Sequence, residues 1–190
     1  MDSRSQVPER EKGMGLVTRR YPKTATILVD TRENLPYLFP KEIKWWDGYR
    51  THLVKLEPKE RPLSAGDYQL YGFEEKASVE RKANIRELWT NLFTKDRPRF
   101  LSALWRFCKQ VKFPYLMVGA SAVGMLTPTE LVPKAGKVTD ELLILSREMG
   151  FNLILGGPCA TLDQRKKHGE LVARLLLGAC WGDTSLKEKK

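Results

Sequence analysis

The sequence predicts a three-layer α/β/α domain built on a central mixed β-sheet. Two observations carry that expectation. Strand-like and helix-like segments alternate through the middle of the chain, which calls for helices on both faces of a sheet. A short hairpin precedes strands that are joined through helices, so antiparallel and parallel pairs share one sheet. At 190 residues the chain supports one domain with a full core and not two large ones.

Each element has its own signal. Thr26-Ile27-Leu28-Val29 is apolar and β-branched and reads as the first strand, ending at Asp30. Thr51 to Leu56 alternates and reads as the second, bounded by Glu57-Pro58. Asp67 to Leu70 and Ala77 to Lys82 read as a hairpin that turns through Tyr71 to Lys76. Asn84 with Glu87 three residues on is a capping signal, and Ile85, Leu88, Trp89, Leu92 and Phe93 then share one helix face. A second helix from about Pro98 to Lys109 is expected to bury Phe100, Leu101, Leu104, Trp105 and Cys108. Tyr115 to Val118 and Phe151 to Leu155 read as buried strands. Between them Thr139 to Met149 is a helix stopped at Gly150, and Thr161-x-x-Gln164 opens a last helix through Leu177.

Composition narrows the function. Apolar residues make up 42% and charged residues 29%, an ordinary globular balance. The longest apolar stretch, Pro114 to Val123, is interrupted by Gly119 and falls well short of the ~20 residues that span a bilayer. Met1 to Arg20 lacks the apolar core of a signal peptide, so an intracellular protein with no membrane partner is expected. Cys108, Cys159 and Cys180 are odd in number and far apart, which argues against a disulfide framework. His52 and His168 lack zinc-site spacing. Residues 1–23 read as a disordered basic arm, 24–183 as the folded domain and 184–190 as a charged tail.

The net charge of +10 suits a polyanionic partner. Basic residues concentrate between Lys76 and Lys112, and the same stretch holds the candidate chemistry. If Leu70 pairs near Ala77, Asp67 lies opposite Glu80. Glu80 and Lys82 are two apart on one strand and project from one face, while Tyr68, Leu70, Ala77 and Val79 fill the other. Two acids and a lysine at a sheet end suit phosphodiester hydrolysis. Hard oxygen ligands hold Mg²⁺ or Mn²⁺, the metal activates water, and a cation offsets transition-state charge. On spacing alone, a surface hairpin with a Glu–Lys pair is the commoner arrangement.

The flanking residues shift that balance. Val29-Asp30-Thr31-Arg32-Glu33, Ser64-Ala65-Gly66-Asp67-Tyr68 and Val79-Glu80-Arg81-Lys82 follow one another, each at a strand end. This order resembles the XPF-type structure-specific endonucleases of the PD-(D/E)XK superfamily, whose nuclease domain carries D-x-R-E, G-D-Y and E-R-K segments. The resemblance extends to the Arg99-Phe100 helix and the Pro114 to Val118 strand, and covers roughly residues 25 to 180.

The resemblance implies a restriction-endonuclease-like fold and Mg²⁺-dependent (or Mn²⁺-dependent) cleavage of branched or flap-type DNA during repair, recombination or replication. It makes Asp67 and Glu80 metal ligands and Lys82 catalytic, with Asp30 and Glu33 as further acids at the same site. Arg32 and Arg81 become supporting basic residues, for phosphate contact or for holding the carboxylates. A homodimer through the apolar parts of the later helices, Leu142 to Leu145 and Leu171 to Leu177, is also implied.

Two features depart from the family pattern. Where the family has an Asp four residues after the E-R-K lysine, this chain has Arg86 beside Glu87. Either Glu87 replaces the acid, or activity is weaker and Arg86 contacts phosphate. The helicase and helix-hairpin-helix modules of relatives are missing from the sequence, which points to a standalone microbial or phage form. The alternative function is a catalytically weak or inactive DNA-binding subunit that targets a partner nuclease.

Three other segments could touch DNA. The Asp96-Arg97-Pro98-Arg99 loop suits phosphate contact, with Arg97 and Arg99 as its cations. Trp45-Trp46-Asp47-Gly48-Tyr49 reads as an aromatic loop, able to stack on bases or pack in the core. Arg165-Lys166-Lys167-His168 could bind phosphate, though a solvated helix face is the default.

Overall fold

Uninterrupted apolar and β-branched residues place the inner strands, and the hairpin decides how they join. The computed structural model describes residues 21–46 and 50–181. Its strands are β1 (Thr24–Asp30), β2 (Glu42–Trp46), β3 (Thr51–Arg61), β4 (Tyr68–Leu70), β5 (Ala77–Lys82), β6 (Phe113–Val118) and β7 (Asn152–Leu155). They form one sheet in the order β2-β3-β1-β4-β5-β6-β7. β1 pairs parallel with β3 and antiparallel with β4, β4 pairs antiparallel with β5, and β5, β6 and β7 run parallel. The sheet is mixed, as the hairpin requires.

Helices cover both faces. On one, α5 (Leu162–Trp181) lays Val172, Ala173, Leu176 and Leu177 on Ile27, Val29, Tyr68, Leu70, Ala77 and Val79. On the other lie α1 (Ile85–Phe93), α2 (Arg97–Gln110), the short α3 (Ala122–Leu126) and α4 (Ala135–Met149). Strand alternation divides the residues between these cores. Met117 of β6 faces α5, while Leu116 and Val118 face the four-helix side. Thr161 and Gln164 cap α5 reciprocally, and Gly150 ends α4 at φ 80° with its N–H on the Ser146 carbonyl.

Several elements differ from the sequence expectation. Trp45 and Trp46 end strand β2, so they are not in a loop; Asp47 to Tyr49 lie outside the described residues. Trp45 packs against the α5-side core and Trp46 is exposed. β3 continues through Pro58 to Arg61. Lys55 donates to the Lys23 carbonyl on the β1 side and Leu56 to the Lys41 carbonyl on the other. By alternation the nitrogen of Pro58 faces the second side, beyond the end of β2 pairing, where no ladder bond is lost.

Trp105 is exposed, because the buried stripe of α2 is Phe100, Leu104 and Phe107. The segment Leu171 to Leu177 serves the core under the sheet and is not a free dimer surface. On α4, Leu142 and Leu145 are buried and only Leu143 and Ile144 are open. Residues 1–20 and 182–190, which hold most of the expected arm and the tail, lie outside the described residues. Among the described residues no helix is long and apolar enough to cross a membrane.

Candidate active site

The turn into β4 is built around Gly66. Its φ is +68°, and a Cβ there would meet Ser78 Oγ at 2.3 Å, so only glycine fits without displacement. Ser78 Oγ and Gln69 Nε2 both donate to the Ala65 carbonyl, at 3.0 and 2.8 Å. These bonds deliver Asp67 to the end of the sheet. The Asp67 N–H donates to the Val79 carbonyl at 2.8 Å, and its own carbonyl accepts from the Asp30 N–H at 2.9 Å. Its Oδ2 accepts from the Arg81 N–H at 2.7 Å. The hairpin pairs Tyr68 with Val79 and Gln69 with Ser78, and beyond that ladder Asp67 bonds to Val79 and Arg81, the residues that flank Glu80.

Glu80 and Lys82 project on the same side as Ser78, toward α1 and α2. Lys82 Nζ lies 2.9 Å from Glu80 Oε1 and 3.4 Å from Glu87 Oε1, and 5.6 Å from the centre of the Phe100 ring. Glu87 is held from the other end, its Oε2 accepting from the Ala83 N–H at 2.8 Å. Asp30, Arg32, Asp67, Glu80, Lys82, Glu87 and Arg99 all line one cleft of about 630 Å³. Asp96 is the N-cap of α2, so Arg97 and Arg99 stand on a helix and not in a loop.

The charges in the cleft are unbalanced. Burial, and then the neighbouring Glu80 carboxylate, push the Asp67 carboxyl up to about 8, against the pull of the Arg81 N–H. Burial would lower Lys82, but Glu80 and Glu87 outweigh it and hold the ammonium above its ordinary value. Lys82 is therefore a charged donor at neutral pH and not a free amine. At Asp30, burial is outweighed by hydrogen bonds from Arg32, which keep the carboxyl below its ordinary value.

The structure does not gather every predicted residue. Asp30 borders the cleft, but Arg32 Nε reaches its two oxygens at 2.9 and 3.2 Å, and the Arg32 guanidinium also donates to the Leu63 carbonyl. Glu33 is not among the cleft residues. Its Oε1 accepts from Arg81 at 3.0 Å, with only 11% and 8% of the two side chains exposed. Arg81 alternates away from Glu80 and lies 5.0 Å from the Tyr37 ring centre, on the α5 side of the sheet. Of its two expected roles, holding a carboxylate is the one this geometry permits.

The remaining cations divide in the same way. Arg97 ties the Leu92 carbonyl to Glu141, away from the cleft, and Arg86 is exposed on α1 without lining it. Arg165 and His168 are structural, bound to the Pro36 and Gly156 carbonyls. The sequence reading passed over Arg106, which lines the cleft; its place one turn beyond Ala103 on the Arg99 face was the available signal. Among the described residues no three His, Cys, Asp or Glu side chains converge closely enough to hold a metal ion by themselves.

No family model and no curated protein matches the chain. Solved structures do, among them the following two. XPF from Aeropyrum pernix matches with a TM-score of 0.55 at 15% identity, over 80% of this chain and 59% of that one. The fold is XPF-like. The same protein in complex with DNA matches with a TM-score of 0.52 at 15% identity, over 80% of this chain and 63% of that one. The chain thus matches about three-fifths of the length of these XPF structures.

Two stability predictions follow from the geometry. Glu33→Ala leaves the Arg81 guanidinium buried and unpaired, and is expected to cost about 3 kcal/mol in urea unfolding; a loss under about 1 kcal/mol would contradict a buried pair. Asp67, raised from 3.8 to about 8, holds a proton in the folded chain that the unfolded chain has released between those values. Stability in metal-free buffer should therefore fall as pH rises from about 4 to about 8. Asp67→Asn, which keeps an oxygen for the Arg81 N–H, should flatten that slope; an unchanged slope places the titration elsewhere.

Proposed function

We propose that this chain is a metal-dependent DNA endonuclease, acting on branched or flap-type DNA in repair, recombination or replication. The observation that carries the reading is the meeting of Asp67, Glu80 and Lys82 in one cleft at the end of the sheet. The XPF-like fold and an XPF structure in complex with DNA support it.

The donor set fits a hard divalent cation. Asp67 and Glu80 are adjacent carboxylates whose repulsion and burial leave Asp67 short of a positive partner. Mg²⁺ is commonly bound by one or two carboxylates, with waters and substrate phosphate completing the shell, so a third protein ligand is not required. Asp67 and Glu80 would hold the ion. When bound, it would supply a water of lowered pKa and polarise the phosphate. Asp30 could join only by giving up Arg32.

The chain's own residues then divide the work. Lys82 Nζ, fixed between Glu80 and Glu87, donates hydrogen bonds and positive charge toward the phosphate oxygens. Held between two carboxylates beside the proposed ion, it is placed to stabilise charge and to orient water. Glu87 takes the place of the acid that Arg86 displaces from the family pattern. Arg32, 71% exposed beyond its bonds to Asp30, offers a phosphate contact at the rim. For a homodimer, the open Leu143 and Ile144 of α4 replace the α5 surface.

Cleavage of flapped, branched and linear DNA with Mg²⁺ tests this directly. Wild type should cut, and Glu80→Gln and Lys82→Ala should each slow cleavage by about 10²–10³-fold. Equal products from all three proteins would overturn the assignment. The bonds between Arg32 and Asp30 favour one second reading, a weak or inactive DNA-binding subunit; it predicts DNA binding by wild type without cleavage.

A further inference from the structure

The wall of the cleft facing the acids is a single helix, and its spacing is regular. Arg99, Ala103, Arg106 and Gln110 of α2 all line the cleft. They stand at i, i+4, i+7 and i+11, the repeat of one continuous helix face. That face is the shoulder beside the buried stripe of Phe100, Leu104 and Phe107, so it is held rigidly against the sheet. Arg99 is 81% exposed with Asp96 no nearer than 3.8 Å, and Arg106 is exposed with no ion-pair partner among the described residues. Ala103 between them leaves the floor clear.

Two open guanidinium groups on one wall and the Asp67 and Glu80 carboxyls on the other leave a gap between cations and acids. A phosphodiester backbone fits that gap, since its phosphates meet the arginines while the carboxylate side accepts a cation. Arg99 and Arg106 are seven residues apart, about 10 Å along the helix axis. That is far enough for the two guanidinium groups to reach different phosphates of one strand. One arginine would lie to each side of a phosphate placed over Asp67 and Glu80. The cleft of about 630 Å³ has room for a phosphodiester backbone between the arginines and the acids.

We infer that α2 is a phosphate track: Arg99 and Arg106 grip the backbone of one DNA strand on either side of the phosphate to be cut, and Gln110 continues the path. The inference rests on the nuclease reading of the cleft. Arg99 and Arg106 are positioning residues; they hold the strand and do not touch the reacting atoms. Contacts to phosphate carry no sequence information, so the grip is sequence-independent. Lys109, on the same helix but outside the cleft and 5.6 Å from the Trp105 ring centre, takes no part.

The test measures fluorescence anisotropy of labelled single-stranded and flapped oligonucleotides in EDTA over a range of salt, so that no cleavage intervenes. Arg106→Ala should weaken binding about ten-fold at low salt, as expected for one charge-assisted contact. It should also lower the slope of log K against log salt by about one, on every sequence. Arg106→Lys should recover the slope, and Lys109→Ala should bind as wild type. In the Mg²⁺ cleavage assay Arg106→Ala should raise KM more than it lowers kcat.

If wild type binds and Arg106→Ala matches it in affinity and slope, the track is wrong while the nuclease reading stands. Equal losses from Lys109→Ala and Arg106→Ala would also overturn it, in favour of undirected surface charge. If wild type binds no DNA, the nuclease reading fails and takes the inference with it.

Discussion

Asp67 is bonded into both of its neighbouring strands, and the cleft depends on that. Its carbonyl accepts from the Asp30 N–H, its N–H donates to Val79, and its carboxylate accepts from the Arg81 N–H. One residue therefore fixes the end of β1 against β4 and the end of β4 against β5. The E-R-K segment cannot shift along the hairpin without breaking a bond to the acid it faces. A one-residue slip would send Glu80 and Lys82 to the α5 core and bring Val79 and Arg81 into the cleft. Register and site are thus a single constraint.

That constraint places two acids together. Burial and then the neighbouring Glu80 carboxylate favour the protonated form of Asp67. Lys82 is already shared by Glu80 and Glu87, so it compensates only in part. Gly66, Ser78 and Gln69 hold the turn that keeps Asp67 in this position. The opposite side of the sheet shows the contrasting solution. There Glu33 and Arg81 neutralise each other in a buried pair. Adjacent residues of one motif thus face two ways, Glu80 and Lys82 into the cleft and Arg81 into the buried pair.

Much of this was legible in the sequence, because the signals were local. Strand alternation and the turn between Leu70 and Ala77 were enough to bring Asp67 beside the E-R-K segment, where it bonds to Val79 and Arg81, and the Asn84–Glu87 cap forms, with the Glu87 N–H on the Asn84 side chain. What was not legible depends on tertiary contact. That Glu33 faces Arg81 follows from how the Asp30 to Tyr37 segment folds over the α5 side, which no spacing within either motif reveals. The exposure of Trp105 was misjudged because Phe107, not Trp105, continues the buried stripe from Phe100 and Leu104. Trp45 and Trp46 read as a loop because two consecutive tryptophans hide the alternation of β2, in which Ile43 and Trp45 face the core and Trp46 faces out. Arg106 was hidden among many basic residues until the cleft singled it out.

The central claim is that Asp67 and Glu80 together form a divalent-cation site. Titration of the protein with Mn²⁺, read as loss of the free-ion signal in electron paramagnetic resonance, tests it without DNA or turnover. The account predicts one Mn²⁺ per chain, displaced by Mg²⁺, with binding lost in both Asp67→Asn and Glu80→Gln while the fold is retained. Binding that survives the removal of both carboxylates, or no binding by the wild-type chain at millimolar Mn²⁺, would contradict it.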